Sequence, residues 1–166
     1  MLAFFFGTLV AFLIAPRLLA KLGLARSCFL GLSIWTVCFW IIPYLPSYTV
    51  LLPFMVLGGV WLGILEVAMN SAADQEERRT GRRIMSRAHG FWSLGSLAGA
   101  LFGGGTAALG LGLSAHFSII MPVVLLAGLI ALWAVKDGAH QSPERNANEK
   151  VPVFALPDKS IALLCL

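Results

Sequence analysis

The feature that most constrains this chain is an alternation of long apolar runs with short segments that hold every cation. Residues 2–19, 27–44, 49–72, 88–113 and 115–135 are five runs almost free of charge. About 20 consecutive apolar residues carry an α-helix across the hydrocarbon core of a bilayer, so each run reads as a spanning helix. Two connections, Pro43 to Ser47 and Gly110 to Ser114, are short and uncharged. The other three hold all twelve Lys and Arg: first Arg17, Lys21 and Arg26, then Arg78, Arg79, Arg82, Arg83 and Arg87, then Lys136, Arg145, Lys150 and Lys159. Five spans bring these three connections to one side of a membrane, and an excess of Lys and Arg marks the cytoplasmic side. The chain is therefore predicted to be an all-α integral membrane protein with its N-terminus outside.

Composition points the same way. The 166 residues are 58% hydrophobic and 12% charged, against about 45–50% and about 25% in a soluble domain. That is too little charge to cover a water-facing surface, which excludes a soluble enzyme, a disordered chain and a nucleic-acid binder. The net charge of +4 is accounted for by topology. A second role for the Arg78 to Arg87 cluster, binding anionic lipid headgroups, stays open, although Glu76 and Glu77 dilute its charge. Cys28, Cys38 and Cys165 are scattered through apolar sequence and make no metal-ligand spacing. No GxSxG, HExxH or Walker pattern is present, so neither a catalytic site, a metal nor a cofactor is expected.

Glu66 is the residue with most to say. It lies inside the third run, where an unpaired charge costs on the order of 2.5–3.5 kcal/mol. Such a carboxyl faces a protein interior or a wet cavity. There it either exchanges protons as its surroundings change or donates a structural hydrogen bond to a neighbouring helix. Gly59, Gly63, Glu66 and Asn70 recur at helical spacing and form one small, polar stripe. The glycines permit close helix packing, and Asn70 can bond across an interface. In the fourth run Gly95, Gly99 and Gly103 make two overlapping GxxxG units, read as a packing face, with His89, Ser93 and Ser96 on a neighbouring face. His89 suits either a proton path or a hydrogen bond at the membrane interface. Trp92 suits either stacking on a sugar ring or interfacial anchoring.

Two stretches make the sequence recognisable. Glu66-Val-Ala-Met-Asn70, followed by the segment from Glu77 through the arginine cluster to Ala88-His-Gly-Phe-Trp-Ser-Leu-Gly-Ser-Leu-Ala-Gly99, resembles major facilitator superfamily permeases, in particular the bacterial branch related to fucose permease. The resemblance implies that the five complete spans match helices 2 to 6 of a twelve-helix permease. Residues 1–135 would then be an incomplete six-helix half, 136–159 the central cytoplasmic linker, and 160–166 the start of helix seven. It also implies alternating access between two halves and a bacterial inner-membrane location. Pro16-Arg-Leu-Leu-Ala-Lys-Leu-Gly-Leu-Ala-Arg26 occupies the place of the family's cytoplasmic loop motif. Lys21, Gly23 and Arg26 suit that motif, while Ala20 and Pro16 stand where an acidic residue and a glycine are usual. The family's fourth-helix glutamate, tied to proton coupling and sugar binding, corresponds to Glu66.

The expected function is proton-coupled transport of a small polar solute such as a sugar. The implied partners are the bilayer, the solute, protons and the remaining half of the permease. The first helix and second half lie outside this sequence, which is expected to be a fragment. A non-transporting helix bundle, either a remnant or a partner-binding protein, is the alternative. The topology is testable by fusion: a reporter after Gly81 should report a cytoplasmic position and one after Leu45 an external position. The reverse pattern would contradict the orientation.

Overall fold

The computed structural model describes residues 1–138, and side chains through residue 133. The expected linker beyond residue 138 and the helix start at 160–166 lie outside the described residues. Five α-helices follow one another: α1 (Leu2–Leu22), α2 (Leu24–Ile41), α3 (Tyr48–Thr80), α4 (Ile84–Ala108) and α5 (Leu113–Gly138), with a 3₁₀ turn at Ile42–Tyr44 after α2. Hydrocarbon offers no partner to a backbone amide, so helices satisfy their own groups along the chain.

The helix ends depart from the apolar runs in ways the polar residues explain. The run ending at Ala72 continues as helix to Thr80, which puts Arg78 and Arg79 on the last turn of α3 instead of in a loop. Asp74 pairs with Arg78 at 3.0 Å and Glu76 with Arg79 at 2.6 Å, the i,i+4 and i,i+3 spacings that support an exposed helix. The helix stops at Gly81, whose φ of 67° is the left-handed conformation glycine adopts freely. α1 likewise runs past Leu19 to Leu22. Only Gly23, at φ 78°, separates it from α2, so the basic segment around Lys21 is mostly helix. α4 begins before residue 88 and ends before residue 113, where Gly110 turns the chain at φ 70°. Residues 136–138, expected from sequence to open the linker, belong to α5.

Four of the five helices, α1, α2, α3 and α5, are long and apolar enough to cross a membrane. α4, at 25 residues, has the length but not the apolarity. Its first turns carry Arg87, His89, Ser93 and Ser96, and its later turns are rich in glycine. All five expected runs form helices, and four of them meet this criterion.

Helix packing is built on close backbone approach. Apolar helix faces gain no hydrophobic driving force from leaving lipid, so van der Waals contact between small residues does more of the work. α3 is central. On one flank it meets α1 in parallel: a Cβ placed on Gly59 would overlap the Phe4 carbonyl oxygen, one on Gly7 would overlap that of Val56, and one on Gly63 would come within 2.6 Å of the Ala11 Cβ. Ala11, Ala15 and Ile64 are buried in this seam, and the Thr8 hydroxyl lies 3.3 Å from the Gly59 carbonyl oxygen. The opposite flank of α3 packs on α2, where a Cβ on Gly31 would meet that of Leu65 at 2.9 Å. Cys28, Leu32, Leu65 and Ala68 form the buried cluster there. α5 packs on α2 against the same cluster, with Gly128 seated on Leu32 and Leu125, Leu129 and Leu132 beside it. α4 stands apart: residues 86–102 are all exposed.

Because these glycines bear on backbone or on Cβ atoms, substituting them has a definite sign. Gly59→Ala and Gly63→Ala should each lower stability by about 1–3 kcal/mol through overpacking. Gly95→Ala, with nothing within 4 Å of its added methyl, should be neutral or raise stability by up to about 1 kcal/mol. Reversible unfolding in detergent measures both. Equal effects at Gly63 and Gly95 would contradict the packing described.

Candidate functional site

The stripe on α3 resolves into two parts. Gly59 and Gly63 are buried against α1. Glu66, the next residue on that face, is half-buried, and Asn70 one turn further is exposed. Helical spacing therefore places the carboxyl at the margin of the α1–α3 seam, beside packed helix on one side and open on the other. The ion pairs among the described residues are Asp74–Arg78 and Glu76–Arg79; Glu66 belongs to neither.

The residues singled out on α4 do not join that group. His89, Trp92 and Ser93 are exposed on α4, Trp92 to 67%, and the hydrogen bonds described for His89 and Ser93 run back along the same helix. Ser93 and Ser96 donate to the carbonyls of His89 and Trp92 at 3.0 Å. His89 Nδ1 lies 3.1 Å from the Met85 carbonyl oxygen. A carbonyl only accepts, so this contact assigns the proton to Nδ1 and leaves Nε2 as the imidazole's open acceptor. Gly95 and Gly99 meet nothing within 4 Å among the described residues, and a Cβ on Gly103 would lie 3.8 Å from a ring carbon of His116.

α4 is instead held at its two ends, by Glu77, which the sequence marked only as an acid among the arginines, and by Thr106 and His116, which it left unmarked. At its start, Glu77 Oε2 on α3 accepts from the backbone N–H groups of Ile84 and Met85, at 3.0 Å each. A carboxylate placed on otherwise orphaned amides is a strong helix cap. At its far end, the Thr106 hydroxyl donates to the Gly103 carbonyl at 3.0 Å and lies 2.8 Å from Nδ1 of His116 on α5. With its one proton directed at Gly103, Thr106 accepts from His116.

His116 also belongs to a chain of rings joining four helices at that end. It meets Phe102 of α4 at 5.4 Å and Phe117 at 5.5 Å. Phe117 stacks on Phe39 of α2 at 6.4 Å, and Phe39 meets Phe4 of α1 edge-on at 5.6 Å. These spacings are those of attractive aromatic pairs. Tyr44 and Ser118 add a 2.8 Å hydrogen bond between the α2 turn and α5. No periodicity could have revealed the chain, because its members come from separate helices.

The opposite end is basic. Arg17, Lys21 and Arg26 flank the Gly23 turn, and Arg78, Arg79, Arg82, Arg83 and Arg87 flank the Gly81 turn. Lys21 and Arg26 are exposed on either side of Gly23. The Arg79 guanidinium, hydrogen-bonded to Glu76, holds that carboxyl below the usual glutamate range. Among the described residues, no Lys, Arg, Asp or Glu lies at the aromatic end.

The sequence matches the Major Facilitator Superfamily over residues 1–165. Over 160 residues it is 28% identical to an uncharacterised transporter of Sinorhizobium fredii, covering 96% of this chain and 41% of that protein. Over 99 residues it is 38% identical to an uncharacterised MFS-type transporter of Yersinia pestis, covering 60% of this chain and 24% of that protein. The chain thus spans less than half the length of these relatives. No solved structure matches it. The match over nearly every residue agrees with the long apolar helices described between residues 1 and 138, and the chain belongs to the Major Facilitator Superfamily.

Proposed function

We propose that this chain forms part of the first half of a fucose-permease-like transporter in a bacterial inner membrane. Such a transporter moves a small polar solute, with sugars the leading class, by proton-coupled alternating access. On this reading α1 to α5 are helices 2 to 6 of twelve and all five cross the bilayer. The basic end is cytoplasmic and the aromatic end external. At 1.5 Å per residue α4 is about 37 Å long, enough to span. Its glycine-rich, weakly apolar surface suits contact with protein more than with lipid. The remaining half of the permease supplies the second wall of the solute path.

One observation carries the reading: a carboxyl within an apolar helix, half-buried at the margin of a tight seam and outside the ion pairs of its neighbourhood. Such a group is stable when protonated or when reached by water, and a transporter that alternately dries and wets it makes it exchange a proton with each cycle. Asn70, one turn away and exposed, is placed to bind a hydroxylated solute beside it. His89 Nε2 is a second proton acceptor, on α4 near the basic end.

The test uses the full-length protein in proteoliposomes under an imposed proton gradient. Glu66→Gln should reduce gradient-driven solute accumulation at least about tenfold while leaving solute exchange at zero gradient largely intact, because only the proton step needs the acid. Unchanged accumulation in the variant would remove Glu66 from coupling. Transport by the 166-residue chain alone would overturn the need for a second half.

A further inference from the structure

The turn between α3 and α4 carries more available positive charge than its sequence suggests. Asp74, Glu76 and Glu77 lie among Arg78, Arg79, Arg82, Arg83 and Arg87, and on composition alone the acids offset the bases. In the structure each acid is engaged. Asp74 holds Arg78 at 3.0 Å. Glu76 takes Arg79 in a two-bonded pair at 2.6 and 2.8 Å. Glu77 is spent on the backbone amides that open α4, at 3.0 Å each. Arg82, Arg83 and Arg87 are left exposed and outside the ion pairs found among the described residues.

Their spacing makes them a unit. Arg83 stands at the N-cap position of α4 without a side-chain capping bond, and Arg87 follows one turn later in the helix. Arg82 adjoins them in the turn. Like charges at this spacing repel, so an anion bridging them relieves that repulsion. Two aromatic residues further along α4 set their depth. Phe91 and Trp92, 72% and 67% exposed, stand little more than a turn beyond Arg87. Tryptophan is enriched at the level of the lipid headgroups, and the arginines, a turn nearer the basic end of α4, fall at or just outside the phosphate layer. Guanidinium groups bind phosphate oxygens in two-bonded pairs.

We propose that Arg82, Arg83 and Arg87 form a binding site for the phosphate of an anionic phospholipid at the α3–α4 turn. The site is independent of Glu66 and of the solute. Its ligand belongs to the leaflet at the basic end, and holding it fixes the start of α4, the helix with the fewest neighbours among the described residues.

The experiment adds phosphatidylglycerol or phosphatidylcholine to the purified chain in mild detergent and counts bound lipid by native mass spectrometry. The chain should favour phosphatidylglycerol by at least about fivefold, the contribution of one basic side chain near an anionic surface. The combined Arg82→Gln, Arg83→Gln, Arg87→Gln variant should bind the two lipids about equally, and the corresponding triple Lys variant should keep a preference. Arg17→Gln with Lys21→Gln should leave the preference intact. Millimolar inorganic phosphate should not displace the lipid. Circular dichroism on the same samples checks that the helices remain, and the single variants Arg83→Gln and Arg87→Gln give the reading if the triple Gln variant loses them. An undiminished preference in the Gln variants would overturn the proposal. So would an equal loss on changing Arg17 and Lys21, which means diffuse attraction, or displacement by phosphate, which means a free-anion site.

Discussion

A chain in hydrocarbon must close its own backbone hydrogen bonds and keep its charges near water, and every other feature of this structure derives from that requirement. The first condition leaves helix as the only secondary structure described between residues 1 and 138. The second pushes Lys and Arg to one end of the bundle and leaves the opposite end to aromatic rings and hydroxyls. Glu66 stands out because it breaks the second condition inside an otherwise apolar helix. A residue kept at such cost draws a functional explanation.

The same solvent alters how the helices find one another. Burial of leucine against leucine gains little when the alternative is lipid, so the α1–α3 and α2–α3 seams rely on backbone approach at Gly7, Gly31, Gly59 and Gly63. Small residues, Ala11, Ala15, Cys28 and Ala68, share these seams with Ile64, Leu32 and Leu65, and Ser27 and Thr36 are buried nearby on α2. Ser27 and Thr36 return their hydroxyl protons to the carbonyls of Gly23 and Leu32, at 2.8 and 2.7 Å, so their burial leaves no donor unmet. α4 differs from this scheme among the described residues, where Gly95 and Gly99 stay open. Glu77 at one end and Thr106 with His116 at the other hold the helix in place without a packed middle.

Much of the fold was legible because it rests on composition over long windows. Apolar runs fixed the helices, and cation placement fixed which ends lie together. Helix ends were less legible, because they depend on single polar interactions. α3 outlasts its apolar run through the Asp74–Arg78 and Glu76–Arg79 pairs, and α4 starts early on the Glu77 cap. At α4, rich in glycine and serine, the run forms a helix of spanning length that is less apolar than the other four. Of the candidate site, the α3 stripe was visible as a period, while His116 and the aromatic chain were invisible because their partners are remote in sequence. The arginine cluster was visible, but the engagement of its acids was not, since nothing in a sequence tells whether a glutamate neutralises a neighbour or caps a helix.

The central claim, that α3 threads a bilayer with its charged extension beyond one face, is tested most directly by a nitroxide depth series along that helix in lipid vesicles. Labels at the exposed positions Leu52, Leu57 and Met69 are predicted to show oxygen accessibility that is highest at Leu57 and stays above that of a water-soluble nickel complex, with the order reversed at Gly81. Nickel access at Leu57 and Met69 equal to that at Gly81 would contradict the account.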